Sequence, residues 1–434
     1  MTPHQHANDL LAFVDQSPSP WHAVETIEQR LSNQGFQCLH EDNSWQLDAG
    51  GRYYVIRDGS SIVSFVCGTQ PLAEQGFKII GAHTDSPGLR VKPNIPVAMD
   101  GMLRLAVEIY GGPILATFTD RDLSLAGRVA YQSDQGTVQS GLLHIQRPLL
   151  RLPNLAIHMN RSVNEDGLKL QKQFELPLLM TRLTQEQLPG AYFLNLLQET
   201  LSIDAGRILS WDLNVFDTQP GSFWGAENEF VADSQLDNLA SCHAALSALL
   251  DEAVLTSGNT LVCAFFDHEE IGSDSHKGAG GSFLSDVLMR ISFSLGLSQQ
   301  QDLLRALAQS FMISADMAHA YQPNFPNAYD PDHKVFVNQG PVIKINANQR
   351  YSTESISCAH FASWCQAAGV AFQKYSHRCD LPCGSTIGPI LSARLGIRTV
   401  DVGNPMWAMH SIRESAGVYD HFNITKVMKT FFAT

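Results

Sequence analysis

The chain reads as an α/β protein whose mainly parallel sheet is flanked by helices and interrupted by a β-rich insertion. Three observations predict this. Apolar, β-rich runs such as FKIIGAHT and TLVCAFFDHEE alternate with segments of helical periodicity, the pattern of a parallel sheet. Several of these runs stop in an acid or a histidine, which is where such sheets build their sites. From about residue 93 to 233 the texture changes to short alternating segments separated by Gly, Pro and Asp. The expected organisation is a discontinuous α/β domain, residues 1–92 and 234–434, around an inserted domain, residues 93–233.

Residues 7–35 have helical periodicity with a break at Ser17-Pro18-Ser19-Pro20. Strands are expected at RYYVIRD, SIVSFVCG and FKIIGAHT, the last opening into the turn-rich HTDSPGLRVKPN. Within the insertion, LRLAVEIY, DLSLAGRVAY and LLHIQRPL have strand character. Beyond it, LDNLASCHAALSALLDEAV is helical and NTLVCAFFDHEEIGS is a buried strand running into a polar loop. SDVLMRISFSL and QDLLRALAQSF read as helices, FMISADMAHA as a strand closing on an acid, and ISCAHFASWCQAAG as a helix. PILSARLGIRTVDVG closes the series as a helix–strand unit.

Composition narrows the function. The 434 residues are 44% hydrophobic and 17% charged, ordinary for a globular protein. A net charge of −14 lacks the basic footprint that phosphate binding needs, which excludes nucleic acid as the main partner. No run reaches the roughly 20 apolar residues of a membrane span. The opening MTPHQHANDLLAFVDQ lacks the plan of a secretory signal, so a cytoplasmic location is expected. The eight cysteines form no C-x-x-C pair and read as reduced structural thiols; Cys379 and Cys383, the closest pair, are weak zinc candidates.

The candidate chemistry gathers at strand ends. Glu269 and Glu270 follow an apolar strand. Alone they would read as a solvated loop, but a buried strand delivers both to the heart of the domain. There, one carboxylate can bind a metal while its neighbour takes a proton from water. His83 lies two residues before Asp85, placed to receive the second ring N–H of a metal-bound imidazole. Asp237 precedes a helix, either as a dipole-favoured acid or as a carboxylate bridging two metals. Asp316 and His410 are weak alone. Together these residues supply two imidazoles and three ligating carboxylates without a thiolate, a set suited to Zn²⁺, Mn²⁺ or Co²⁺. His243, His268 and His276 read as packing or supporting residues. Ser385 is not in a G-x-S-x-G elbow, which disfavours a serine hydrolase, and HKGAGGS is no phosphate-binding fingerprint.

Seven segments, GAHTDSPGLRVKP, QLDNLASCHAAL, FFDHEEIGSDSHKGAGG, ISADMAHAYQPNF, GPVIKINANQRYS, CGSTIGPI and NPMWAMHSIRE, together resemble the M18 metallopeptidases, the aspartyl aminopeptidases. The resemblance covers nearly the whole chain in the family's motif order. It implies a zinc-peptidase-like fold and a cytoplasmic aminopeptidase using two zinc ions per subunit, with Mn²⁺ or Co²⁺ as substitutes. By that resemblance Asp237 bridges the metals, His83 and Asp316 complete one site, and Glu270 and His410 complete the other. Glu269 is then the general base, and Asp85 its catalytic-site companion beside His83. Lys344, Tyr351 and His319 match a pocket for an N-terminal Asp or Glu side chain, and Ser385 lines it. Read from composition alone, Lys344 among apolar neighbours is equally a snorkelling lysine. His158 matches a histidine that reaches a neighbouring subunit's site, and the insertion is expected to mediate dimers that build a dodecamer. The alternatives are the same chemistry with neutral or broad specificity, and a non-catalytic scaffold or cargo assembly.

Overall fold

The structure, a computed structural model, describes residues 1–434. The chain divides into two compact units. The first comprises Met1–Asp85, Gly221–Met409 and Glu414–Thr434; the second comprises Ser86–Pro220 and His410–Arg413.

The first unit is built on a nine-stranded sheet. From edge to edge its strands are Gln37–Leu39, Arg52–Arg57, Ser61–Val66, Thr260–Phe266, Phe77–His83, Phe311–Ala315, Arg398–Gly403, Val342–Ile345 and Gln373–Ser376. The four strands from Thr260–Phe266 to Arg398–Gly403 run parallel. Alternate residues of Thr260–Phe266 face opposite layers. Leu261, Cys263 and Phe265 pack with the helices Pro3–Asp15, Pro20–Asn33, Leu236–Leu249 and Val418–Ala433. Val262, Ala264 and Phe266 pack with the helices Phe283–Ser294 and Ile387–Leu395. Helices on both faces explain why these strands are continuously apolar rather than alternating. The Ser-Pro-Ser-Pro break is a helix start: Ser19 caps the second helix and Pro20 occupies its first turn. A smaller sheet orders Ser222–Trp224, Phe230–Asp233, Glu414–Gly417, Pro405–Trp407 and Ala318–His319.

The second unit is β-rich. Its five-stranded sheet, in the order Val138–His144, Leu123–Gln132, Ile208–Asp217, Gly88–Val91, Val107–Tyr110, is antiparallel throughout. Gly127 lets two of these strands approach closely, since a Cβ there would sit 2.1 Å from the Asp212 carbonyl oxygen. A three-stranded sheet and the helix Pro189–Leu201 complete the unit.

The division falls at Asp85/Ser86 and Pro220/Gly221, earlier at both ends than 92/93 and 233/234. The reason is strand pairing. Gly88–Val91 pairs with Ile208–Asp217 and Val107–Tyr110, while Phe230–Asp233 pairs with Glu414–Gly417. The helical run after Asp237 is also shorter than expected, ending at Leu249 and restarting at Glu252. No helix is long and apolar enough to cross a membrane.

Candidate metal centre

His83, Asp316 and the Glu269–Glu270 pair all follow from the same layout: each ends or closely follows one of the parallel strands. His83 closes its strand opposite Phe266. The chain then turns sharply at His268, with φ 66°, into the short 3-10 turn Glu269–Ile271. Asp237 enters beside them at the start of the helix Leu236–Leu249.

His83 is the hub. Its Nε2 lies 3.5 Å from Asp237 Oδ1, 3.7 Å from Asp316 Oδ1 and 3.9 Å from Glu269 Oε2. These separations exceed ordinary hydrogen bonds, about 2.7–3.2 Å. They approach the spacing around a shared ion, because a tetrahedral zinc with bonds of about 2.0–2.2 Å separates its ligand atoms by roughly 3.3–3.6 Å. Ligand atoms of His83, Asp237 and Asp316 all lie within 4.8 Å of one another, as do those of His83, Glu269 and Glu270. The donors are imidazole and carboxylate, with His83, Asp237 and Asp316 buried and the two glutamates half-buried, so the residues present fit a divalent cation of the zinc class.

Electrostatics point the same way. Burial alone would lower the pKa of His83, but Glu269, Asp237, Asp316 and Asp85 outweigh it and hold the ring well above its ordinary value. Burial drives the Glu269 carboxyl well above the usual range; His83 opposes this, while Asp316 and Glu270 reinforce it. Carboxylates this crowded call for a compensating cation.

Supporting contacts orient the cluster. The ring Nδ1 of His83 donates to the Asp85 main-chain carbonyl at 3.0 Å, not primarily to its carboxylate, which lies 3.5 Å away. Asp85 is thus the neighbour of that ring nitrogen through both its main chain and its side chain, the main chain being nearer. The buried Asp85 carboxylate instead accepts the main-chain N–H of Glu269 on Oδ1 and of Glu270 on Oδ2, each at 3.1 Å. One side chain thus fixes both glutamates. Glu414 Oε2 accepts the main-chain N–H of Asp237 at 2.9 Å, and the Cys242 thiol donates to the His83 carbonyl. Buried Lys277 pairs with Asp267 at 2.9 Å and donates to Ser60 at 2.8 Å, anchoring the strand end before Glu269. The signal for Glu414 lay within NPMWAMHSIRE, four residues past His410. Lys277 carried none beyond its glycine-rich surroundings.

Lys344 is buried, 3.3 Å from Asp316 Oδ2, and donates to the Met317 carbonyl at 3.1 Å; its ammonium lies 5.1 Å from the centroid of the Tyr351 ring. Tyr351 is buried, which raises its pKa. Burial and the neighbouring Lys344 lower His319 to about 4, so the ring is neutral at pH 7. Ser385 is exposed and donates to the Arg350 carbonyl at 3.1 Å. His158 is exposed in a turn of the second unit. His410 belongs to the segment that clusters with the second unit, where its Nδ1 lies 3.1 Å from the Gly112 carbonyl.

An α/β fold carrying carboxylates and a buried imidazole at the ends of its parallel strands has the build of a metallohydrolase. Comparison with known proteins makes this particular. The family model described as aminopeptidase I zinc metalloprotease (M18) matches residues 13–432, and the chain belongs to that family of zinc aminopeptidases. It is 44% identical over 429 residues to a probable M18 family aminopeptidase 2 of Stutzerimonas stutzeri (strain A1501), covering 98% of this chain and 97% of the relative. A protein of the same description from Clostridium novyi (strain NT) is 43% identical over 428 residues, with 98% of each chain covered. Among solved structures, Ape4 in its cryo-EM complex with Nbr1 superposes with a TM-score of 0.95 at 39% identity, covering 99% of this chain and 86% of that one. The S. cerevisiae mApe1 dodecamer gives 0.85 at 27% identity, covering 98% and 96%.

Proposed function

We propose that the chain removes N-terminal residues through a two-zinc centre, with His83, Asp237 and Asp316 holding one ion and Asp237, Glu270 and His410 the other. The observation that carries this reading is the convergence of Asp237, Asp316 and Glu269 on His83 Nε2 at 3.5–3.9 Å. His410 rests on the NPMWAMHSIRE resemblance and on its place in the chain, one residue beyond Met409 of the first unit. When bound, paired divalent cations lower the pKa of water and polarise the scissile carbonyl; Mn²⁺ or Co²⁺ suits the same donors. Glu269, its proton affinity raised by burial, takes the proton of the attacking water and returns it to the leaving amine. Asp85 holds Glu269 and Glu270 in register through their two main-chain amides.

Specificity for N-terminal Asp or Glu is supported by a buried cation, Lys344, beside Tyr351 and His319, with Ser385 at the pocket's rim. One observation favours the second reading, a neutral or broad preference: Lys344 already sits 3.3 Å from Asp316. Assembly through the inserted unit into dimers and a dodecamer, with His158 reaching a neighbouring site, is supported by exposed Leu155, Ile157, Met159 and Phe174. The dodecameric mApe1 neighbour agrees with it. Eight unpaired cysteines accord with a cytoplasmic location.

The test is hydrolysis of matched Asp-, Glu-, Leu- and Lys-aminoacyl substrates, with and without a chelator. Chelator-sensitive turnover favouring Asp and Glu is expected. Chelator-sensitive turnover favouring Leu would keep the mechanism and discard the pocket, while turnover indifferent to chelation would overturn the centre itself.

A further inference from the structure

A second group of imidazoles meets inside the first unit, on residues the peptidase reading does not use. His6 comes from the helix Pro3–Asp15, His243 from Leu236–Leu249 and His421 from Val418–Ala433. They are 5%, 0% and 2% exposed, and a ring nitrogen from each lies within 4.8 Å of the other two.

Hydrogen bonding assigns the protons. Arg30 donates to both oxygens of Asp9 at 2.9 and 3.0 Å, and the hydrogen bond from His243, with Arg30 beside it, holds the Asp9 carboxyl below its ordinary pKa against its burial. Asp9 is therefore an acceptor only, and His243 Nε2, 2.8 Å from Oδ2, carries the proton. His243 Nδ1 is then a lone pair. It faces His421 Nε2 at 2.8 Å, which makes His421 Nε2 the donor. The remaining nitrogen of that ring, His421 Nδ1, is a buried lone pair with no hydrogen-bond partner. The Thr425 hydroxyl donates to the His421 carbonyl at 2.9 Å, so it accepts from His6 Nε2 at 3.0 Å and leaves His6 Nδ1 as a third lone pair.

Each ring therefore carries one unprotonated nitrogen, and a nitrogen of each ring lies within 4.8 Å of one on each of the others. His243 and His6 give their outer N–H to a carboxylate and a hydroxyl, the arrangement that fixes metal-binding histidines. Three leucines would fill this volume without the cost of an unsatisfied buried nitrogen. Burial holds all three rings below their ordinary pKa, hence neutral and able to ligate at pH 7.

We propose that His6, His243 and His421 form a third metal site, for one divalent cation of the zinc class, separate from the peptidase centre. Asp9 and Thr425 orient two of the rings from outside. Binding replaces the His243–His421 hydrogen bond, turns the His421 ring or moves its proton to Nδ1 so that a lone pair faces the ion, and unstacks the His6 and His421 rings, whose centroids lie 4.7 Å apart. No proton is released, because each neutral ring already offers a lone pair. The role is structural: the ion ties three helices drawn from distant parts of the sequence.

The test is zinc content. The full chain and its His6→Gln variant are dialysed against ZnCl₂ and the bound metal is counted. A loss of one zinc per chain in the variant is expected, whatever the number held at the strand ends. Equal content in the two folded proteins would overturn the site. Should His6→Gln fail to fold, anomalous diffraction at the zinc edge from crystals of the unaltered chain decides. A peak among the three rings supports the site, and peaks confined to the surroundings of His83 overturn it.

Discussion

His83 and His421 are equally buried, at 1% and 2% exposure, yet their environments push them in opposite directions. Four carboxylates pull the pKa of His83 up against its burial. His421 meets two other imidazoles, which add to burial and drive it down. Depth in the protein is the same in both places, so the company each ring keeps decides its charge. A ring among acids belongs to a centre able to handle protons and water. A ring among other rings is a neutral ligand or a packing group, with no reactive partner.

That contrast can be broken by substitution. The largest effect is expected for Glu269→Gln, which leaves the proposed metal ligands in place but removes the proposed proton acceptor. Turnover should fall about 10²–10⁴-fold with zinc content unchanged, read by steady-state rates beside metal analysis. Unchanged turnover would move the base elsewhere and revive a scaffold role. Next comes Asp85→Asn, which loses one of the two acceptors clamping the glutamates. A drop of roughly 10–100-fold in activity or metal affinity is expected, the usual scale for a group that orients a metal centre. Lys344→Ala should lower kcat/KM for Asp substrates about tenfold more than for Leu substrates, the worth of one hydrogen bond to a charged group. Equal losses would make the lysine structural. The smallest effect falls on the other cluster. Asp9→Asn weakens the hold on His243 and should cost about 1–3 kcal/mol of stability by urea unfolding; an equal collapse of turnover would mean that the two clusters act as one.

The difference between the clusters also explains what could be read from sequence. The parallel strands were legible because both faces are buried, which makes runs such as LVCAFF continuously apolar. His83, Glu269, Glu270 and Asp316, each weak alone, stood out together because several apolar runs of one sheet end in an acid or a histidine. Asp85 was noticed, but its clamp on two main-chain amides was not, since a hydrogen bond to backbone leaves no mark on residue type. His6 and His421 were missed, and His243 read as packing, because one histidine on a helix says nothing about two others brought from 178 to 415 positions away. The compact units divide a few residues away from the expected boundary for a related reason. Gly88–Val91 is four residues long, and its pairing with Ile208–Asp217 and Val107–Tyr110 tells which unit owns it.

The discontinuous first unit has a consequence for the making of the protein. Glu414 supports Asp237, and Glu414–Gly417 pairs with Phe230–Asp233. At about 5–20 residues per second, roughly nine to thirty-five seconds of synthesis separate the emergence of Asp237 from that of Glu414. Throughout that interval the growing chain carries an unfinished centre. Asp237 therefore waits, through most of the catalytic unit's synthesis, for the carboxylate that holds its main chain.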